Sequence, residues 1–132
     1  GVTKGYLKPL LPTNLNINHP EEQLEKTKLG WLDAWKWTED VFFISLPGHC
    51  RGQIGLYLKN TTIGDVLLIA DATWSSRAFR DKIYPSKIVS VFIDSYKALT
   101  ETIDKLNDFH YKNERVIIVP THCGEAFKKY VK

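Results

Sequence analysis

Three apolar runs, residues 41–46, 65–70 and 115–119, each give way within three residues to a side chain that can ligate a metal: His49, Asp71 and His122. The runs are short, rich in β-branched and aromatic residues, and bounded by turn formers such as Pro47-Gly48 and the stretch 60–64. With residues 54–59 between the first two, they read as consecutive strands of a sheet. Residues just past strand ends project from a sheet's rim, where separate strands can bring their side chains together.

The rest of the chain has to cover that sheet. Tyr96, Leu99, Ile103, Leu106 and Phe109 recur at three- and four-residue steps, which predicts an amphipathic helix from Ser95 to about residue 111, capped by Asp94 or Ser95. A shorter helix is expected over 75–84, ended by Pro85, and the apolar run 88–93 fits either helix or strand. Upstream, His19-Pro20-Glu21-Glu22 reads as a helix start, with a Glu22/Lys26 pair and Gly30 as the stop. Trp31, Trp35 and Trp37 carry large faces that call for burial, in the core or beneath a neighbouring chain. Residues 1–18 are irregular and broken by Pro9 and Pro12. The organisation expected is a lead-in over 1–40 with one short helix, then a domain over 41–132.

Composition narrows the function classes. The net charge of +3 comes from 18 basic and 15 acidic residues, and the lysines are scattered, so no basic block exists to track nucleic acid phosphates. No apolar run approaches the roughly 20 residues that cross a bilayer, so no membrane partner is expected. Two cysteines, Cys50 and Cys123, do not make a disulfide framework, and a cytoplasmic protein is expected. The chain opens with Gly1 and contains no methionine, which leads us to expect further residues upstream.

Imidazole nitrogens and carboxylate oxygens suit zinc and related divalent ions, and one carboxylate has two oxygens with which to bridge a pair of them. The spacing of His49, Asp71 and His122 matches no local ligand motif, however. Residue types alone leave two readings open: a metal site, or loop histidines with an aspartate capping the helix after it.

Sequence context adds a resemblance. Leu46-Pro47-Gly48-His49-Cys50-Arg51-Gly52-Gln53-Ile54-Gly55 resembles the PGHxxGxxG segment of the metallo-β-lactamase superfamily. Leu67-Leu68-Ile69-Ala70-Asp71 is similar to that family's strand-to-aspartate motif, and Ile117-Ile118-Val119-Pro120-Thr121-His122 to its late strand ending in Pro-Ser/Thr-His. The resemblance covers roughly residues 41–125. It implies His49, Asp71 and His122 as metal ligands, with Asp71 bridging two divalent ions, most simply zinc, and serving as the catalytic position. The family's first motif, HxHxDH, has no match here; of the other two histidines, His19 and His110, both are read as surface residues.

The fold so implied is α+β: half of an αβ/βα sandwich, one mostly antiparallel sheet flanked by helices. The parent would be a metal-dependent hydrolase of a small molecule, whether ester, lactone, lactam, thioester or phosphodiester, with lactone or ester preferred. The chain alone would be inactive and would want as partner the missing N-terminal half or a second copy of itself. The alternative is a non-catalytic binding or dimerisation module derived from the same fold.

Other residues carry paired readings. Cys50 and Cys123 either reach the metals or fill small buried spaces, the second being the default. Arg51 and Gln53 either orient His49 through its second ring nitrogen or make ordinary loop hydrogen bonds. Trp74 and Arg77 either line a substrate pocket or serve the short helix, where packing of the tryptophan is preferred.

Overall fold

A computed structural model describes residues 2–3, 6–7 and 20–130. Most of the irregular opening, and His19 with it, lies outside the described residues; within it, β1 (Val2–Thr3) pairs antiparallel with β2 (Tyr6–Leu7). One six-stranded sheet organises the remainder: β3 (Glu25–Leu29), β4 (Leu32–Lys36), β5 (Val41–Ser45), β6 (Ile54–Thr61), β7 (Gly64–Ala70) and β8 (Ile117–Pro120), side by side in that order. Every pair is antiparallel except β7 with β8. A parallel pair needs a crossover. Here it is made by α2 (Ser76–Arg80), a 3-10 turn (Lys87–Val91) and α3 (Tyr96–Lys112), and α4 (Gly124–Tyr130) follows β8.

The mostly antiparallel sheet with flanking helices matches the α+β expectation, and the predicted strands and long helix lie where local pattern put them. Ser95 caps α3 by accepting a hydrogen bond from the Ala98 amide at 3.2 Å. The ambiguous run 88–93 is largely the 3-10 turn.

The region before β5 differs from expectation. The helix read over 19–30 is confined to α1 (Pro20–Gln23), and residues 25–36 form the β3–β4 hairpin, with Gly30 at φ 59° in its turn. The Glu22/Lys26 pair suggested helical spacing, yet β3 is an exposed edge strand whose lysines face Asp33 across the hairpin. Trp31 and Trp37 do not enter the core, the first of the two placements their bulk suggests. Trp31 (63% exposed) lies under the Lys112 ammonium and Trp37 (61% exposed) stacks on Phe43.

The two faces of the sheet are both apolar, and among the described residues only one is covered. Leu32, Ala34, Ile44, Tyr57, Leu67, Ile69 and Ile118 point into the core, under Phe79 of α2 and Leu106 and Phe109 of α3. Each such buried side chain contributes on the order of 2 kcal/mol. On the other face, Trp35, Phe43, Leu56, Leu68 and Val119 are direct partners across five strands and form an unbroken apolar row. These five are partly or largely exposed. No helix among the described residues is long and apolar enough to cross a membrane.

Candidate metal centre

His49 sits in the loop that leaves β5. Leu46, fully buried, closes the loop's neck through its amide to the Gln53 carbonyl at 3.0 Å. The next three carbonyls are all taken by α3 and the two residues before it. The buried Thr102 hydroxyl donates to the Pro47 carbonyl at 2.7 Å, the Ser95 amide to that of Gly48 at 3.0 Å, and the Asp94 amide to that of His49 at 3.0 Å. The approach is so close that only glycine fits at position 48: φ is 135°, and a Cβ there would lie 2.3 Å from the Leu99 Cα.

Asp71 stands on a corner at the end of β7. Ala70 adopts the left-handed φ of 47°, unusual for a residue with a side chain, and the Ala72 amide returns to the Ile69 carbonyl at 3.1 Å. The Thr121 amide donates to the Ala70 carbonyl at 3.1 Å, which sets the end of β8 beside that corner and His122 beside Asp71.

The three residues do come together. His49 Nε2 lies 3.8 Å from Asp71 Oδ2, and His122 Nε2 lies 3.2 Å from Asp71 Oδ1. Each carboxylate oxygen is thus faced by a different imidazole. Oδ1 is buried, and although His122 is close, no donor among the described residues meets it in hydrogen-bonding alignment. A buried anionic oxygen without a donor is costly unless a cation or a further donor completes it.

As a donor set for divalent ions, two imidazoles and a two-oxygen carboxylate fit in kind. They fall short in number, because among the described residues no group of three or more His, Cys, Asp or Glu side chains is arranged to hold one ion. With His49 on one side of Asp71 and His122 on the other, each side presents two donors, where a catalytic zinc takes three from protein. As a metal site, the arrangement would be half of one.

The surrounding residues bear on the paired readings. Arg51 reaches outward to Asp94 at 3.8 Å, and Gln53 faces the Cys50 thiol at 3.9 Å; neither bonds the His49 ring. Both cysteines are free thiols. Burial, with the charges of Asp71 and Asp94 behind it, pushes the Cys50 thiol up. Cys123 is buried and ties β8 to α2, its sulfur accepting from the Ser76 amide at 3.3 Å. Burial opposes ionisation there, but hydrogen bonds from Ser76, Ala126 and Glu125 outweigh it and hold the thiol below its usual range. His110, expected at the surface, is half-buried and meets the Phe79 ring edge-on at 5.5 Å.

An apolar cavity of about 230 Å³ opens beside His49 and Asp71. Trp74, half-exposed, lines it rather than packing away on α2, whereas Arg77 pairs with Asp81 at 3.6 Å. Ile83, Tyr84, Val89, Leu99 and Ile103 complete most of the wall. Sequence reasoning did not find this wall, because its members come from four separate elements, nor did it find Thr102. The signal for Thr102 was available as a hydroxyl residue sitting in the apolar stripe of α3.

No protein-family model matches the chain, and no curated protein matches it. Solved structures do. An N-acyl homoserine lactone hydrolase with the product N-hexanoyl-L-homoserine bound at its catalytic metal centre superposes at a TM-score of 0.59 with 25% identity, over 73% of this chain and 36% of that one. A quorum-quenching N-acyl homoserine lactone lactonase gives 0.59 with 26% identity, over 73% and 37%. A B. thuringiensis protein with N-decanoyl-L-homoserine at its active site gives 0.59 with 25% identity, over 73% and 36%. The chain thus spans little more than a third of these relatives. Sheet order, flanking helices and these lactonase structures agree that the chain has the architecture of one half of the metallo-β-lactamase fold and resembles the lactonases of that superfamily.

Proposed function

We propose that this chain is one half of a metal-dependent hydrolase acting on a lactone or ester with an apolar substituent, and that by itself it does not turn over. The observation that carries the reading is Asp71, with a different imidazole against each carboxylate oxygen and one of those oxygens buried without a donor. Two divalent ions, zinc by donor preference, are expected there, with His49 holding one, His122 the other and Asp71 bridging. Such ions supply Lewis acidity and a water ionised near neutral pH. The protein's own part is positional: the three side chains fix where the ions sit, and the cavity beside them takes the apolar part of the substrate and keeps water from it. The missing donors come from the rest of the domain or from a second copy of the chain. The free thiols suit the reducing cytoplasm.

Cobalt(II) titration of the chain, followed by absorbance, tests the ligand assignment. Weak uptake by the wild type and a loss of at least about tenfold in Asp71→Ala is the expected result. Equal uptake by both would overturn it. The alternative, a non-catalytic pairing module, is favoured by the open row from Trp35 to Val119. A discrete dimer that neither binds metal nor hydrolyses lactones would establish that reading instead.

A further inference from the structure

We infer that Thr102 is a positioning residue for His49, an inference that rests on the metal-site reading above. A threonine inside a helix ordinarily returns its hydroxyl to a carbonyl one turn back. Thr102 does not: its hydroxyl leaves α3 and donates at 2.7 Å to the carbonyl of Pro47, two residues before His49 in the chain. The residue is 2% exposed and lies on the stripe formed by Leu99, Ile103 and Leu106, where an apolar side chain would satisfy packing.

The hydroxyl's partner explains its presence. The carbonyls of Pro47, Gly48 and His49 are consecutive, and the other two are held by the Ser95 and Asp94 amides. Those two bonds sit at the very start of α3, whereas Thr102 grips the loop about two turns further along. One anchor region alone would leave the loop free to pivot about it; the second fixes its angle, and with it the distance between the His49 ring and Asp71. Arg51 and Gln53, the neighbours in sequence, do not hold the ring. The side chain that constrains His49 therefore comes from a distant helix and acts through the backbone.

The experiment uses the full 132-residue chain in four forms: wild type, Thr102→Val, which keeps the shape and removes the hydroxyl, Thr102→Ser, which restores it, and Thr102→Ala. Imidazole nitrogen NMR spectra are recorded without metal at a fixed pH above the histidine range, and cobalt(II) affinity is measured alongside. Thr102→Val is expected to shift the His49 ring signals while leaving those of His122 in place, and to weaken cobalt binding about tenfold. Thr102→Ser should recover both. Unmoved His49 signals, or His49 and His122 signals moving together as in general loosening, would overturn the inference. If Thr102→Val does not fold, Thr102→Ala leaves room for a water at the Pro47 carbonyl and is read by the same two criteria. Failure of the wild type to take up cobalt would sink the metal reading alone, since the ring signals of the metal-free chain still decide whether Thr102 positions His49.

Discussion

The two arms of the candidate site are built by different means. Asp71 and His122 stand at the ends of neighbouring strands, β7 and β8, so the sheet ladder that pairs Leu68 with Val119 also delivers their side chains to one corner. His49 has no such ladder at its back. Its loop hangs from α3 by three carbonyls and a glycine contact, and the helix, not the sheet, sets where the ring goes. Both arms rest on contacts some fifty positions apart in sequence, but the first is a repeating backbone ladder and the second a few particular contacts with one helix. The first is held by backbone groups that every residue carries, the second by a particular hydroxyl and a particular glycine.

The sharpest way to break that contrast is Gly48→Ala. A methyl group at position 48 would press on the α3 backbone and also occupy a positive φ, so a loss of about 3 kcal/mol or more is expected on chemical denaturation. If the variant is as stable as wild type, the loop does not lie against α3 as described. The ladder arm offers an opposite and smaller test. Ala70 holds φ at 47°, a cost that glycine would not bear, so Ala70→Gly should gain up to about 1 kcal/mol after its greater unfolded-state entropy is counted. A clear loss would mean that the Ala70 methyl contributes packing that outweighs its backbone strain.

The smallest expected effect perturbs α3 at its far end, away from both arms. His110 packs on Phe79 of α2, and burial, then the Arg80 charge, depress its pKa below 6.5, against a weaker opposing pull from Glu114. The unfolded chain therefore binds the extra proton first. Stability from this group is full above pH 6.5 and falls as pH drops through the folded-state value. His110→Gln should flatten that part of the wild-type profile of denaturation midpoint against pH, and an unchanged slope would show the acid sensitivity to arise elsewhere.

How far the sequence could be read follows the same division. Strands with turn residues at their ends, the Ser95-capped helix and the three strand-end side chains are local patterns, and all are found where expected. The β3–β4 hairpin was hidden because Glu25, Lys26 and Lys28 are charged for reasons of exposure, and charge at helical spacing resembles a solvated helix face. Trp31 and Trp37 were misplaced since aromatic bulk announces contact without saying with what; here it is a lysine and a neighbouring ring. The cavity wall and the partner of Thr102 depend on how α3 is seated on the sheet, which no window of sequence contains; the hydroxyl in the apolar stripe marks Thr102 but not what it binds.

The charged edge strand has a further consequence. Among the described residues β3 is an edge strand, and its Lys26 and Lys28, about two-thirds exposed, give it a charge that resists extension by another strand. Among the described residues, the apolar row from Trp35 to Val119 has no such guard. Association is thereby directional: at the β3 side the sheet does not grow wider, while across its open face it remains able to grow thicker, accepting a second layer but not a seventh strand.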